Sequence, residues 1–443
     1  MAKDPVTAPW AQKTAAMAKR AWRRRAGLGS GSPVVDRVMG VNYQGPFLMV
    51  DDFPLLKMGA VTPAKVLTPA AKSPASPSTA RAINDRLALE LLQEEGPLTA
   101  SRLKQLTGLS RPSVADLVER LAEAGLIEVV GESGEQRRGP NARVYGIVAR
   151  RAHLAALDVR TDGATAVVTD LLGRPLGRTA LPVDAVEEAV DRLQALTART
   201  GAGALHTVVV GAPGLVAPGG GELRGTGALP VWHRDLVAAL QRRLPATVVV
   251  ENETNLAALA EQRAGAARDV DSFVLLWLGD GVGAAVVLDG RLRRGASGGA
   301  GEIGFLPVPG TAGLPSATAC DGGFHALAGR SAVGALAREH GFRGPVEEAV
   351  AGAAGEAFLD ALAERLALGA AAVAAILDPG CVVLGGGLGH AGGEALAARV
   401  ERRLAALSPV PTEVRATALG DPAVLEGARL AAREAAQSVL FGP

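Results

Sequence analysis

The sequence predicts an α/β architecture of two lobes standing behind a small helical unit with a hairpin, and three observations carry that expectation. Two short helical patterns joined at a glycine, with a basic hairpin after them, occupy residues 99 to 147. From Ala155 onward, short β-rich runs alternate with alanine-rich helical stretches. Several of those runs end directly in glycine-rich loops, as strands buried in a sheet do.

The helical unit comes first. In TASRLKQLTGLSRPSVADLVERL, Thr99 is a good N-cap, Leu103 and Leu106 share one face, and Gly108 ends the first helix. Ser110 caps the next helix, and Pro112 sits in its first turn, where a missing N–H costs little. Val114, Leu117, Val118 and Leu121 then repeat at helical spacing. The opposite face is left to Arg111, Ser113 and Ala115, so the first-turn side chains are free to reach base edges in a major groove. Glu128 to Val130 and Ala142 to Ile147 form an extended pair around GESGEQRRGPN, whose Arg137 and Arg138 put charge on a glycine-bounded tip. An upstream helix with Ile83, Leu87 and Leu91 at i, i+4, i+8 supplies the third helix. The whole reads as a winged helix-turn-helix over residues 80–148. Ser110, Arg111 and Ser113 are its candidates for base edges or flanking phosphates, and Arg137 and Arg138 for phosphate or the minor groove. A helical bundle making protein contacts is the bland alternative, and it requires neither the capped turn nor the basic hairpin.

Composition bounds the rest. A chain of 443 residues with a net charge of +1 implies two or three domains and excludes a general polycation. Its two cysteines, Cys320 and Cys381, exclude a disulfide framework and a four-cysteine zinc site, which suits a reducing cytoplasm. No apolar run reaches the roughly eighteen residues of a membrane span, and the arginine-rich start lacks the apolar core of a secretory signal, so no membrane partner is expected. Residues 1–79 carry Gly, Pro, Ser and Ala without a sustained period and end in TPAKVLTPAAKSPASPST, so disorder is expected there. Met58 offers an initiation site nearer the first helix. The residues before it are either an overextended reading or a tail whose AKRAWRRR meets DNA phosphates.

Residues 149–443 form the α/β part. LAALDV, TAVVTDL, TVVVGAPG, TVVVEN, FVLLWLGDG, GAAVVLDG and CVVLGGG are its strand candidates. Two similar halves are suggested, each opening with strand, hairpin and strand, and a ligand would lie in the cleft between them.

GAPGLV, VENETNLAALAE, LGDGVGAAVVLDGRLRRGASGGAGEIG, LDPGCVVLGGGLG and LGDPAVLEGA resemble, in order, the signature segments of the ROK family of repressors and sugar kinases. The resemblance covers roughly residues 80 to 435, and the fused winged helix is similar to the repressor branch. It implies an actin-like, two-lobed ATPase fold that binds a sugar between its lobes. Carried over residue by residue, it makes Gly214, Asn252, Glu253 and Glu302 the candidate ligand-binding residues.

The same resemblance shows what has changed. Family kinases follow the sugar-binding Asn with an Asp that takes the proton of the attacking hydroxyl; Glu253 keeps the charge but displaces it by about 1.5 Å. A misplacement near 1 Å can cost on the order of a hundredfold in rate, which argues against catalysis and not against hydroxyl binding. Their first phosphate loop, Asp-x-Gly-Gly-Thr, appears here as Asp158-Val159-Arg160-Thr161-Asp162, with no bare backbone to meet phosphate. The second keeps its glycines as Gly279-Asp280-Gly281-Val282-Gly283, but Asp280 would repel phosphate unless a cation intervenes. Gly385-Gly386-Gly387 serves either nucleotide contact or a tight strand-to-helix turn. Phe305 stands where the family has a histidine that touches sugar and ligates structural zinc, and ACDGGFHALAG keeps only Cys320 of the cysteine segment, with Ala326 near its acidic sugar ligand. A Cys₃His site cannot be assembled, and His325 beside Cys320 does not replace it. Trp232 packs a loop over the cleft or touches ligand. Asp378-Pro379 and Asp421 cap or turn, and the alanine-rich stretch 360 to 377 is either a dimer surface or a buried helix.

The expectation is a cytoplasmic transcriptional regulator, without catalytic residue, metal or cofactor, that binds double-stranded operator DNA. It senses a sugar or sugar phosphate and assembles as a homodimer or homotetramer. A constitutive DNA-binding protein whose second domain only dimerises is the first alternative, and an active sugar kinase is the next.

Overall fold

The computed structural model describes residues 77–133, 141–161, 163–217, 223–224, 232–311, 313–316, 322–420 and 422–442. The expectations for residues 1–76, Arg137, Arg138, Asp162, Cys320 and Asp421 lie outside the described residues.

Helix α1 (Pro77–Glu94) leads into β1 (Leu98–Thr99), α2 (Ala100–Thr107), α3 (Arg111–Glu123), β2 (Ile127–Ser133) and β3 (Ala142–Ile147). The three strands pair antiparallel in the order β1-β3-β2. Local chemistry sets the helix ends. The Thr99 hydroxyl accepts the Arg102 N–H at 3.2 Å, and Gly108 stops α2 at φ 70° while donating to the Lys104 carbonyl. Leu103, Val114, Leu117, Val118 and Leu121 are buried as the helical spacing requires. The expected stripe on α1 needs correction. Ile83 is 55% exposed and Leu87 38%, Leu91 only edges the core, and Ala88, Leu89 and Leu92 face inward instead. The ion pair from Arg120 on α3 to Asp85 on α1, at 2.6 Å, holds the helix in that rotation, and the small Ala88 lets it approach closely.

The first lobe comprises β4 (His153–Val159), β5 (Ala164–Asp170), β6 (Pro175–Leu181), α4 (Val186–Arg199), β7 (Leu205–Ala212), the short β8 (Leu215–Val216) and β9 (Leu223–Arg224), α5 (Trp232–Arg243) and β10 (Thr247–Asn252). Its main sheet runs β10-β7-β4-β5-β6, with β10, β7 and β4 parallel and β4-β5-β6 an antiparallel meander. Helix α6 (Glu253–Ala264) crosses to the second lobe: β11 (Phe273–Leu278), β12 (Val282–Leu288), β13 (Arg291–Arg293), α7 (Arg330–Glu339), α8 (Glu356–Leu377), β14 (Cys381–Gly385), α9 (Gly386–Leu407, kinked at Gly393) and β15 (Glu413–Ala416). Helix α10 (Ala423–Leu440) then returns to pack on α6 and on β4 and β7 of the first lobe. The sheet of the second lobe runs β13-β12-β11-β14-β15, again an antiparallel meander continued by parallel strands. All seven strand candidates are strands, and the two halves share one layout.

Among the described residues, three apolar clusters form the core. One lies on the outer side of each lobe, built on Leu157, Leu193 and Leu240 in the first and on Phe324, Phe358 and Leu384 in the second. The third is continuous through the winged helix (Leu92, Leu117), both sheets (Val209, Val383) and the two helices between them, α6 (Leu256) and α10 (Val424). Gly427 sets the spacing of those helices, because a Cβ there would stand 1.9 Å from the Leu256 carbonyl oxygen. The alanine-rich helix α8 buries Phe358, Leu362, Leu366 and Ala370 inside its own lobe, which is its packing role; Ile376 near its end is 77% exposed. Asp378 caps α8 in the left-handed conformation.

Candidate ligand cleft and nucleic-acid interface

The cleft is built where strands end. β10 stops at Asn252, whose side-chain oxygen caps α6 by accepting the N–H groups of Thr254 at 2.8 Å and Asn255 at 3.2 Å. Its Nδ2 donates to the Gly214 carbonyl at 2.9 Å, so two of the four expected ligand residues are bonded to each other. Gly214 makes that turn at φ 100°. Glu253 is the next residue. Burial, reinforced by Asp158 and Asp280 and opposed by Arg160, pushes its carboxyl up to about 7. Asp158 near the end of β4 accepts a hydrogen bond from the Arg160 Nε at 3.1 Å, which puts a guanidinium at the loop that follows β4.

The second loop departs from expectation. Asp280 does not stand as an uncompensated charge, because Arg330 at the start of α7 reaches its carboxylate at 2.7 Å and also bonds Glu347. The intervening cation is therefore supplied by the protein. Gly386 is explained by packing: at φ 75° a Cβ would lie 2.5 Å from the Leu278 carbonyl oxygen.

Glu302 projects from a segment stitched to β12. The Ala284 N–H donates to the Gly301 carbonyl at 2.8 Å, and at Gly301 (φ 93°) a side chain would collide with Ala284. Burial raises the Glu302 carboxyl. Phe305 meets His325 edge-on at 5.4 Å, and the His325 Nδ1 accepts the Val282 N–H at 3.2 Å. Burial lowers the His325 pKa, so the ring is a neutral strut between the second loop and the Glu302 segment. Ala326 follows it in the one-turn helix His325–Ala328. Trp232 opens α5 with its ring edge-on to His233 at 4.3 Å. Among the described residues, no group of three or more His, Cys, Asp or Glu side chains is placed to hold a metal ion.

Two residues at the cleft had no signal in the sequence. Glu251 accepts the Arg294 Nε–H at 2.6 Å through one oxygen, and the Asn252 N–H and Asn255 Nδ2–H, both at 2.9 Å, through the other. Residues 251 and 294 belong to different lobes, and nothing in their spacing joins them.

On the winged helix, the Ser110 hydroxyl accepts the Ser113 N–H at 3.3 Å and lies 2.9 Å from the Ser113 hydroxyl. Both serines thus build the helix start. Arg111 beside them is exposed.

These features define a class: a two-lobed, actin-like, sugar-kinase-type domain carrying an N-terminal winged helix. The ROK family model matches residues 154–435, and a MarR family model matches residues 83–139. The chain belongs to the ROK family. It is 27% identical over 241 residues to the DNA-binding transcriptional dual regulator NagC of Escherichia coli K12, across 51% of this chain and 57% of that protein. The xylose repressor of Bacillus subtilis is 23% identical over 239 residues, across 51% and 60%. The matches thus span less than two thirds of each relative's length. A ROK family transcriptional regulator described as a homologue of the E. coli MLC protein shares the fold, with a TM-score of 0.66 at 21% identity over 82% of this chain and 98% of that one. The ROK glucokinase of Streptomyces griseus, solved with glucose and AMPPNP, superposes at 0.52 and 27% identity over 64% of this chain and 100% of its own. Regulators and kinases both stand on this architecture. Among the described residues, no helix is long and apolar enough to cross a membrane.

Proposed function

We propose that this chain is a cytoplasmic transcriptional regulator, acting as a repressor. Its winged helix reads double-stranded operator DNA, and the cleft of its catalytically silent ROK domain holds a sugar or sugar-phosphate effector. One observation carries the reading: an exposed, capped recognition helix shares a continuous apolar core with the helix that leaves the cleft. Helix α10 starts beside Asp158 and Arg160, where Pro422 and Leu425 line a cavity of about 570 Å³. At its far end Gln437 donates to Gln93 of α1 at 2.7 Å and Phe441 enters the shared core. A lobe movement on ligand binding would therefore be carried to the winged helix. In a homodimer or homotetramer it would change the spacing of two recognition helices, and operator half-sites about one turn apart are read in one state only.

Asn252, Glu253 and Glu302 hold ligand hydroxyls in this reading and Gly214 lines the same pocket, while Arg111, Ser110 and Ser113 meet base edges or flanking phosphates. Arg137 and Arg138 add charge from the wing. The testing experiment is a thermal-shift screen of glucose, N-acetylglucosamine, mannose, xylose and their phosphates, with and without a duplex selected from random sequence. A ligand that binds one state raises the melting temperature and changes DNA affinity together, as linkage requires. Glu302→Ala is expected to abolish ligand-induced release and leave the free protein's DNA affinity unchanged.

The kinase reading has two observations in its favour. A carboxyl near 7 suits a general base, and Arg330 relieves the second loop. Sugar-dependent ADP formation that disappears in Glu253→Gln would establish that reading over the silent domain.

A further inference from the structure

We propose that Glu251 and Arg294 form a strut between the lobes that positions Glu302 over the cleft, an inference that rests on the cleft being the ligand site. The strut lies outside the residues that would touch ligand, and it acts through the loop that carries one of them.

The loop from Arg294 to Glu302 leaves β13 and is closed on itself by the Ala300 N–H donating to the Arg294 carbonyl at 3.2 Å and the Glu302 N–H to that of Gly299 at 3.3 Å. Its far end is tied to the second lobe through Gly301 and Ala284. Among the described residues, the Arg294 guanidinium is its hydrogen bond to the first lobe, made to Glu251 at 2.6 Å. The loop also abuts that lobe at Leu215, whose Cδ1 lies 3.2 Å from where a Gly299 Cβ would be. Two anchors therefore determine where Glu302 points, one in each lobe.

The first-lobe anchor is built for rigidity. The Glu251 side chain is 10% exposed, and its other oxygen is occupied by Asn252 and Asn255, so the carboxylate cannot swing away with Arg294. The Asn252 that Glu251 steadies is the residue that caps α6 and bonds Gly214. One carboxylate thus fixes the Asn252–Gly214 side of the cleft and, through Arg294, the Glu302 side. A buried carboxylate stripped of its cation is strongly disfavoured, so the pair holds or fails as a unit. A ligand spanning Asn252 and Glu302 would meet prearranged partners when the strut is made, and a splayed pair when it is broken.

Hydrogen–deuterium exchange on the full chain without ligand tests this. Wild type is compared with Glu251→Gln, Arg294→Met, the double variant and Arg294→Lys. Amides from Gly295 to Glu302 are expected to exchange about tenfold faster in each of the first two, the scale of one charge-assisted hydrogen bond. The double variant should exchange no faster than either single one, Arg294→Lys should recover part of the protection, and β14 and the winged helix should be unchanged. Unaltered exchange in Arg294→Met, or additive effects in the double variant, overturns the strut. Arg294 is half exposed, so its variants report even if Glu251→Gln fails to fold. Because no sugar is present, this outcome is independent of the effector screen.

Discussion

Glu253 stands at the first turn of α6 with Asp158 and Asp280 near it, and burial does most of the work of raising its carboxyl to about 7 from 4.5. Well below 4.5 it is neutral both folded and unfolded. Between 4.5 and about 7 the unfolded chain releases the proton and the folded chain keeps it, so its contribution to stability falls as pH rises across that window and stays low above it. Glu253→Gln is therefore expected to raise the melting temperature at about pH 8 and to leave it nearly unchanged at about pH 4. An equal gain at both would show that the carboxyl is not neutral in the fold. At the DNA face Arg111→Ala should cost roughly 1 to 3 kcal/mol of specific binding at fixed salt if it reads a base. Ser110→Ala removes the α3 cap and should lower stability by about 1 kcal/mol, with its DNA affinity falling equally on all sequences. A titration showing base-specific loss for Ser110→Ala would instead make that hydroxyl a direct reader. Of the candidate cleft residues, Gly214, Asn252, Glu253 and Glu302 could be named in advance because family segments mark their positions. Glu251 and Arg294 could not, since an acid in one segment and a base 43 residues on acquire meaning only when two lobes meet.

At the scale of elements, helices α6 and α10 touch backbone to backbone. Gly427→Ala places a methyl 1.9 Å from the Leu256 carbonyl oxygen and should destabilise by about 1 to 3 kcal/mol as the helices part. Equilibrium denaturation checks it, and an unchanged midpoint would show that the contact relaxes freely. The seven strands were readable because buried β-branched runs have few other fates. The rotation of α1 was not. Ile83, Leu87 and Leu91 make as good a helical stripe as Ala88, Leu89 and Leu92, and the choice was made by the Asp85–Arg120 ion pair and close packing on α3. Likewise the alanines of α8 fit either an interface or an interior, and burial against Phe324 and its neighbours decides for the interior over most of their length.

For the whole molecule, the shared core implies that the winged helix is docked rather than tethered. Gln437→Ala deletes the bonds to Gln93 and to the Leu171 carbonyl and should cost about 1 kcal/mol while loosening α1. Faster amide exchange in α1, with unchanged exchange in β14, checks the docking, and unaltered α1 protection would place the coupling elsewhere. The sequence by itself determined the order of parts: a capped helix-turn-helix with a hairpin, then two strand-rich halves carrying ROK signatures. Those features are local, written in caps, periods and motif spacing within a few tens of residues. Tertiary structure alone decided that Arg330 neutralises Asp280, that Glu251 and Arg294 brace the cleft, which face of α1 is buried, and that one core joins the cleft to the winged helix. Each depends on side chains distant in the chain coming within a few ångströms, and the energy of such contacts comes from burial and charge pairing that no linear pattern specifies.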